Sequence, residues 1–574
     1  MYTAPQLVNL LEKQHQRRGI SNLFKKGIFT LQWRSKVGCF PHPDVETMVS
    51  AGEPCGAWYV ANGRPGDKRE LDKNLAQMPE LPLNGYIPGS SIRGIVRAWA
   101  MKRPSIRKQM LNLLGCQQGN VIKEGKIEFL DAWPETATKL VLDIVNPQQN
   151  FQVYHEGQGK PLSIYTLGDG EDTIPVTVAI RGIPGEVSPK EVQTVWEWVQ
   201  QALSIHGVGS RTSAGYGQIK APSDFRPSVE LRQVENGSTT KTFEFKLYSQ
   251  GCAGANRQQQ ELRPSHWRGW LRSWILRFLL GVMSKDNAER TLWELMGIIE
   301  PDTHKGCVQI RMIPGEEIWG DSSSNQPYFY VWEGKLQVTA PSEILNKIIL
   351  PIIRFAVSTG GVGRGWRRPL HIFYMETNNR SATRGSHLVI KHQITNPNTK
   401  NRETQVYRLP PKPENWTSTY DNWLTAVRSQ WAERINTNAN QSLEAEVFSP
   451  RTCAVYAVPG PYANPIDEND FEWLETDGVE TRGEGMHLIY EQTPPRNYKR
   501  NPDIGGNAAD KNPHCSWASI KRINIPSHEI EVDCQEIVCL FMGGKSPQSN
   551  HIRARFLQDL NEIEGNVHLF GISP

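Results

Sequence analysis

The chain has 574 residues, 38% of them hydrophobic and 22% charged, so it is long enough for about two to four folded domains and too apolar to be disordered. Its net charge of +4 is too small to indicate a nucleic-acid partner, so such an argument has to rest on where the arginines lie. No secretory signal and no membrane-spanning run is evident, and the nine cysteines are scattered, which together predict a cytoplasmic protein without a membrane partner.

After an N-terminal extension over residues 1–24, the first predicted element is a strand in GIFTLQW. A long loop follows, and then a helix that begins in IPGSSIRGIVRAW, where a Gly-Ser-Ser turn precedes Arg93 and Arg97, one helical turn apart. A second helix is predicted to begin after Ser188, which opens a capping box, and to stop at Gly207 before another strand.

The same order of features occurs twice. RPSHWRGWLRSW repeats the arginine spacing of the first helix with Arg268 and Arg272, and a Gly-Val-Gly segment precedes an arginine-bearing loop in both places. We therefore predict two copies of one domain, over residues 25–222 and 240–376, with residues 377–574 as an accessory region or an insertion that completes the second domain. The order of strands and helices predicts the α+β class, with each copy a ferredoxin-like sandwich.

The start of the first predicted helix is a candidate phosphate site. Free backbone N–H groups and the positive end of the helix dipole favour an anion there, and Ser90 and Ser91 add hydroxyl donors. Arg93 and Arg97 add guanidinium groups on the same face. The alternative is an ordinary capped amphipathic helix with solvated arginines, but the recurrence of the pattern at Arg268 favours phosphate binding.

The two glycine loops are the second candidate site. A helix precedes each loop and a strand follows it, which is the reverse of the order in a dinucleotide-binding loop. Glycines allow close approach to a nucleic-acid backbone, arginines neutralise it, and an aromatic ring can stack on a base, whereas the alternative is a tight turn with surface charge. The candidate RNA-binding residues are Gly207, Gly209, Ser210, Arg211, Gly361, Gly363, Arg364, Trp366 and Arg367.

IPGSSIRGIVR and the glycine-rich loops together resemble the RAMP superfamily of CRISPR-associated proteins, and more narrowly the backbone-type subunits of type III effector complexes, with two RAMP domains fused. The resemblance implies two tandem RRM-like domains that hold a guide CRISPR RNA and present it to target RNA. It also implies contacts with other type III subunits, including the large polymerase-like subunit.

The family also implies a catalytic aspartate in some members, in the long loop after the first strand. Asp67 and Asp72 are the candidates here, and a divalent metal, Mg²⁺ or Mn²⁺, would be needed if the target is cut; no other cofactor is predicted. The corresponding loop of the second copy, QGCAGANRQQQELRP, has no aspartate, so the second copy is expected to be catalytically silent.

Three alternatives stay open at this stage. A RAMP-fold endoribonuclease could process precursor guide RNA by acid–base chemistry at His206 or His155, and a pure scaffold would touch proteins only. His514, Cys515, Cys534 and Cys539 could approach a zinc ion, but their irregular spacing favours buried cysteines.

Overall fold

The computed structural model divides the chain into two compact units. The first comprises Met1–Pro147 and Lys160–Ser238, and the second comprises Gln148–Gly159 and Thr239–Pro574. No helix in the described part of the chain is long and apolar enough to cross a membrane. The structure describes residues 4–36, 39–41, 48–50, 85–119, 121–136, 138, 140–145, 150–155, 162–170, 172–222, 225, 237–249, 261–298, 304–319, 330–375, 380–395, 401–461, 481–491, 496–506, 515–525, 533–544 and 547–574.

Helices and strands alternate along both units, which confirms the predicted mixture of helix and sheet. The helices are α1 (Ala4–Arg17), α2 (Gly89–Met101), α3 (Pro104–Leu114), α4 (Asn150–Tyr154), α5 (Pro189–His206), α6 (Pro264–Leu280), α7 (Lys285–Met296), α8 (Leu350–Thr359), α9 (Pro413–Gln430), α10 (Glu484–Tyr490), α11 (Pro502–Gly505) and α12 (Pro547–Asn561).

The strands form three larger sheets and several hairpins. They are β1 (Phe24–Leu31), β2 (Cys39–Pro41), β3 (Met48–Ser50), β4 (Cys116–Gln118), β5 (Val121–Lys123), β6 (Ile127–Phe129), β7 (Trp133–Pro134), β8 (Leu140–Val145), β9 (Leu162–Leu167), β10 (Ile174–Gly182), β11 (Ile219–Lys220), β12 (Ser238–Ser249), β13 (Gln309–Trp319), β14 (Tyr330–Pro341), β15 (His371–Met375), β16 (Arg380–Arg384), β17 (Ser386–Thr395), β18 (Arg402–Val406), β19 (Cys453–Pro459), β20 (Ala518–Ile525), β21 (Asp533–Phe541) and β22 (Val567–Gly571).

The sheet of the first unit is antiparallel, with strand order β11-β1-β10-β6. Along the chain its elements run strand β1, helix α2, strands β6 and β10, helix α5 and strand β11. The capping box predicted for α5 is confirmed: Ser188 accepts from the Glu191 amide, the Glu191 carboxylate accepts from the Ser188 amide at 2.8 Å, and Gly207 ends the helix. Val96 of α2 and Val195 of α5 lie in the apolar core against the sheet.

The first sheet of the second unit has the order β13-β14-β12-β17-β18. Along the chain its main elements run β12, α6, β13, β14, α8 and β17. Strand β17, at Ser386–Thr395, pairs with β12 and lies beyond residue 376, where the sequence analysis placed the end of the second copy. A second sheet in the same unit has the order β20-β21-β19-β22.

Helix α6 lies between these two sheets. Trp267 packs on Phe245 of β12 with ring centroids 4.8 Å apart, and Trp274 packs near Phe541 of β21 at 6.4 Å. As a result 13 of its 17 residues are buried, whereas α2 buries only five of 13. A helix that is apolar around its whole circumference needs a partner on each side, and the second sheet supplies the other partner.

Candidate functional site

The paired arginines of the first unit point into the fold. Arg93 on α2 donates through Nη2 to the carbonyl of Leu114, and Arg97 donates through Nη1 to the same carbonyl at 3.1 Å and to the carbonyl of Gly115. These carbonyls lie at the end of α3, where the last turn of a helix has no intrahelical donor and carries partial negative charge. The pair therefore caps α3, and Gly115 ends that helix with a φ of 76°.

The paired arginines of the second unit do the same. Arg268 on α6 donates to the carbonyl of Met296, and Arg272 donates through Nη1 to the carbonyl of Gly297 at 3.0 Å, where φ is 79°. Burial lowers the pKa of Arg268 and of Arg272 to about 10. We call each pair, with the helix end that it caps, an arginine clamp. Phosphate binding by these four arginines stays a prediction, and the clamp is a role that the sequence analysis missed.

The start of α2 already holds a carboxylate. The amide of Gly89 donates to Oδ1 of Asp131 at 2.8 Å, so one of the free N–H groups expected there is satisfied within the chain. A Cβ at Gly89 would come within 2.1 Å of the Phe129 carbonyl oxygen, which explains the glycine. Ser90 is exposed and Ser91 is half-buried, and their role in phosphate binding stays a prediction.

The first glycine loop is fixed against the chain just after β1. Val208 donates to the carbonyl of Gly217 at 2.8 Å, Ser210 donates to the carbonyl of Lys36 at 3.1 Å, and Gly217 donates to the carbonyl of Arg34 at 2.7 Å. A Cβ at Gly207, where φ is 72°, would lie 2.4 Å from the Gly217 carbonyl oxygen. The two glycines therefore allow a backbone approach that no other residue permits.

A buried carboxylate accepts a hydrogen bond from a residue of this loop. Asp143 on β8 is fully buried, accepts from the Tyr216 hydroxyl at 2.6 Å, and lies 3.6 Å from Nη1 of the buried Arg34. Tyr216 also packs against Trp33, with the two rings tilted and their centroids 4.8 Å apart. Sequence analysis missed this network, because Asp143 lies 73 residues from Tyr216.

The tip of the first loop faces outward. Ser210 is exposed, and Arg211 is half-exposed with a left-handed backbone, φ 58°. Within the described part of the chain, no hydrogen bond or ion pair engages the Arg211 guanidinium. Gly209, with φ 81°, lies beside them, so Gly209, Ser210 and Arg211 share one turn.

The second glycine loop divides into an outer and an inner part. Gly361 donates to the carbonyl of Trp366 at 2.9 Å, which closes the loop, and Gly363 has a φ of 78°. Arg364 is exposed at the tip. Trp366 is half-buried and packs edge-on to Trp274 at 6.2 Å, so the proposed stacking of a base on Trp366 stays a prediction.

Arg367 lies on the inner side of the second loop, in a buried cluster around Glu446. It is 6% exposed, and its Nη2 lies 2.6 Å from Oε1 of Glu446. Arg277 of α6 lies 2.5 Å from Oε2, and His155 lies 2.9 Å from Oε1. Burial alone would raise the pKa of the Glu446 carboxyl, but Arg367, Arg277 and the hydrogen bond from His155 hold that pKa well below its usual value. RNA binding by Arg367 stays a prediction.

The remaining candidates are spread over the chain. His155 stacks on Trp517 with ring centroids 3.9 Å apart, and His206 ends α5. Cys534 and Cys539 lie five positions apart on β21, so they face opposite sides of the sheet. The described residues contain no group of three or more metal-ligating side chains. Three candidates lie outside the described residues: Asp67, Asp72 and His514.

Comparison with known proteins decides the family. Residues 84–220, which run from α2 through the first glycine loop to β11, match the model of the RAMP superfamily. Over these residues the chain is similar to the RAMP superfamily. The resemblance carried by IPGSSIRGIVR and the first glycine loop is therefore confirmed, and the α2 clamp and the tip of the first loop are parts of a RAMP domain.

One curated relative is a subunit of a CRISPR system. The chain is 33% identical over 169 residues to the CRISPR system Cmr subunit Cmr6 of Pyrococcus furiosus, a match that covers 27% of this chain and 45% of that relative. The chain thus spans less than half the length of this curated relative.

Two solved structures are similar to parts of the chain. One is a type III-B Cmr-beta complex bound to cognate target RNA, with 18% identity, a TM-score of 0.25, and coverage of 38% of this chain and 66% of that chain. The other is the crystal structure of Cmr6 from Pyrococcus furiosus, with 20% identity, a TM-score of 0.18, and coverage of 35% and 97%. With TM-scores this low, these structures add nothing to the argument from the sequence matches.

Proposed function

We propose that this chain is a guide-RNA-binding backbone subunit of a type III CRISPR ribonucleoprotein, and that it helps to present the guide to target RNA. The RAMP match and the Cmr6 relative support the class of protein. Its partners would be the guide CRISPR RNA, the target RNA and other subunits of the complex, including the large polymerase-like subunit.

We also propose that the two units contain two ferredoxin-like RAMP copies. The support is the strand order: β11-β1-β10-β6 in the first unit and β17-β12-β14-β13 in the second place the four strands of each copy in the same arrangement. In both, the arginine clamp lies on the first helix and the glycine loop follows the second helix.

One observation carries the RNA-binding proposal. At the same topological position in both copies, an arginine follows a glycine of positive φ and reaches solvent: Arg211 after Gly209, and Arg364 after Gly363. A guanidinium at the tip of a glycine turn can form paired hydrogen bonds with a phosphate that approaches the backbone closely. The other arginines of the candidate site face inward, so the two loop tips are the parts of the site best placed for RNA.

Target cleavage is a separate proposal for the first copy. Asp67 or Asp72 would act with Mg²⁺ or Mn²⁺, and the second copy would not cut. The test is a cleavage assay on labelled target RNA with the assembled complex: Asp67→Ala or Asp72→Ala should abolish metal-dependent cutting while RNA binding is kept. Equal cutting by both variants and the parent protein would contradict the proposal.

Processing of precursor guide RNA by a histidine gains no support from its two candidates. His155 is held between Glu446 and Trp517, and its side chain is 8% exposed. Metal-independent cutting of repeat RNA that is lost in His206→Ala would favour this rival function over the binding role.

The RNA-binding proposal is tested by the nucleic acid that copurifies with the complex. We expect short RNAs of uniform length with one repeat-derived end, and we expect their yield to fall sharply in an Arg211→Ala/Arg364→Ala double variant. A matched control is Arg107→Ala/Arg428→Ala, which removes two exposed arginines from helices α3 and α9. Equal RNA yield in both double variants would contradict the proposed site, and a parent complex without RNA would contradict the proposed function.

A further inference from the structure

The last part of the chain repeats the topology of the two glycine-loop copies. From residue 453 its elements run strand β19, helix α10, strands β20 and β21, helix α12 and strand β22. The strands pair antiparallel in the order β22-β19-β21-β20, which is the arrangement of the four strands in each of the other two copies. Residues 453–571 are thus a third module with the same strand-and-helix plan, which their polar sequence did not indicate.

The third module lacks the charged elements of the first two. Its first helix, EGMHLIY in α10, carries no arginine pair. The turn between α12 and β22 carries the exposed Glu562 and Glu564 where the other copies carry Arg211 and Arg364. Carboxylates at this position would repel a phosphate backbone.

Both faces of the third sheet are covered within the unit. Tyr456 and Leu540 pack with α10 and α12 in one apolar cluster, and Val455 and Cys539 face the other cluster, which includes helices α6, α8 and α9. Among the described residues of this module, both sheet faces are therefore packed against other parts of the unit.

The contact that bears on RNA binding is with the second glycine loop. Arg368 donates through Nη1 to the carbonyl of Ala518 at 2.7 Å, and through Nη2 to the carbonyl of Ile504 at 2.7 Å and the hydroxyl of Ser516 at 3.0 Å. The amide of Ile520 on β20 donates to the carbonyl of Arg367 at 2.9 Å. These four hydrogen bonds attach the inner end of the loop to the third module.

The acceptors of Arg368 are all uncharged. They lie around the planar guanidinium group, so that Nη1 and Nη2 both donate to them. The Arg368 amide also donates to the carbonyl of Gly365 at 3.0 Å, so the orientation of its backbone is coupled to the turn that carries Arg364. An arginine with this many intrachain acceptors is suited to fix a loop rather than to bind a ligand.

We propose that the third module holds the second glycine loop in its binding form, and that Arg368 is the positioning residue through which it does so. This inference rests on the proposed function, since it assumes that the loop tip binds RNA. The first loop needs no such support, because it is attached to residues 34–36 of its own unit.

The test compares Arg368→Ala with Arg364→Ala in the full chain by two measurements. The first is amide hydrogen exchange across residues 360–366 in the RNA-free protein. We expect Arg368→Ala to speed exchange there by about tenfold or more, because local opening no longer has to break the three side-chain hydrogen bonds. Arg364→Ala, which removes a side chain exposed at the tip, should speed exchange less than Arg368→Ala. Arg368→Lys keeps the charge but not the fork and should restore only part of the protection.

The second measurement is RNA affinity as a function of salt. Arg368→Ala should weaken binding without changing the salt slope, whereas Arg364→Ala should weaken binding and reduce the slope by about 1. Ser516→Ala removes one of the three acceptors of Arg368 and should give a smaller rise in exchange than Arg368→Ala. Unchanged exchange in Arg368→Ala would overturn the positioning role, and a slope reduced as in Arg364→Ala would make Arg368 a phosphate ligand. If no variant changes RNA affinity, the proposed function fails while the exchange result still decides the role of Arg368.

Discussion

Nη1 of Arg272 lies 3.0 Å from the carbonyl oxygen of Gly297, at the end of the helix that follows its own. The same contact occurs between Arg97 and Gly115 in the other unit. In both units the arginine pair therefore caps the next helix, and phosphate binding by these arginines stays a prediction. The contact ties the helix that carries the pair to the helix that follows it.

The clamp is expected to stabilise the first unit measurably. Arg97→Ala leaves the Gly115 carbonyl without its side-chain donor and leaves Arg93 as the one remaining arginine on the Leu114 carbonyl, which should cost about 1–3 kcal/mol of local stability. Hydrogen exchange of the α3 amides measures this loss. Arg107→Ala, an exposed arginine on α3, is the control and should change stability by no more than about 0.5 kcal/mol. Unchanged α3 protection together with weaker RNA binding in Arg97→Ala would show a phosphate contact instead.

Glu446 is expected to be the most sensitive carboxylate of the second unit. Glu446→Gln leaves Arg277 and Arg367 buried without a counter-charge, which should lower the free energy of unfolding by about 3–5 kcal/mol at neutral pH. Because the pKa of Glu446 is depressed in the folded state, its contribution is present above its ordinary pKa of 4.5 and is lost as pH falls below that value. Denaturant titrations against Glu444→Gln, an exposed neighbour, measure the effect. Equal stability of the two variants at pH 7 would contradict this role.

Two histidines with lowered pKa values, the buried His371 and the half-buried His266, should make the second unit less stable in mild acid. Burial lowers the pKa of His266 and of His371 to about 3. The unfolded chain therefore takes up protons below pH 6.5 that the folded chain does not, so stability falls with pH at up to about 1.4 kcal/mol per pH unit for each histidine.

The sign and size of this effect are checked by urea unfolding between pH 7 and pH 5. In His371→Gln the slope of the unfolding free energy against pH should decrease by the contribution of one histidine. In His304→Gln, which changes an exposed histidine, this slope should not change. A slope in His371→Gln equal to that of the parent protein would mean that His371 is protonated in the folded state.

The first glycine loop should not tolerate a side chain at its base. At Gly217 φ is 65°, and a Cβ would lie 1.8 Å from the Val208 carbonyl oxygen, so Gly217→Ala has to break the contact that closes the loop. Gly185→Ala is the matched control, since φ is 86° and nothing lies within 4 Å of its Cβ. We expect the control to lose about 1 kcal/mol from backbone strain alone. Gly217→Ala should lose more and should also bind RNA more weakly; equal stability of the two would contradict the loop geometry.

The sequence predicted those elements that are determined by residues close together in the chain. Helix α5 was readable because its capping box and its terminal glycine lie within 20 residues of one another. The glycine-loop and first-helix motifs led to the RAMP superfamily for the same reason.

The partners of the arginines could not be predicted, because they are backbone carbonyls with no sequence signature, 17 residues away for Arg97 and 25 for Arg272. The third module was hidden by its polar composition and by its short first helix, α10. One signal for it was present: WILRFLL in α6 is too apolar on all sides to pack on a single sheet, and it indicates a second sheet.

The central claim, that the two loop tips bind an RNA backbone, is tested most directly by the salt dependence of RNA affinity. Filter binding of a guide-length RNA from 50 to 200 mM salt should give a steep negative slope of log K against log salt, on the order of one unit for each phosphate contact. Arg211→Ala and Arg364→Ala should each reduce that slope by about 1 and should act additively in the double variant. A double variant with the slope and affinity of the parent protein would contradict the account.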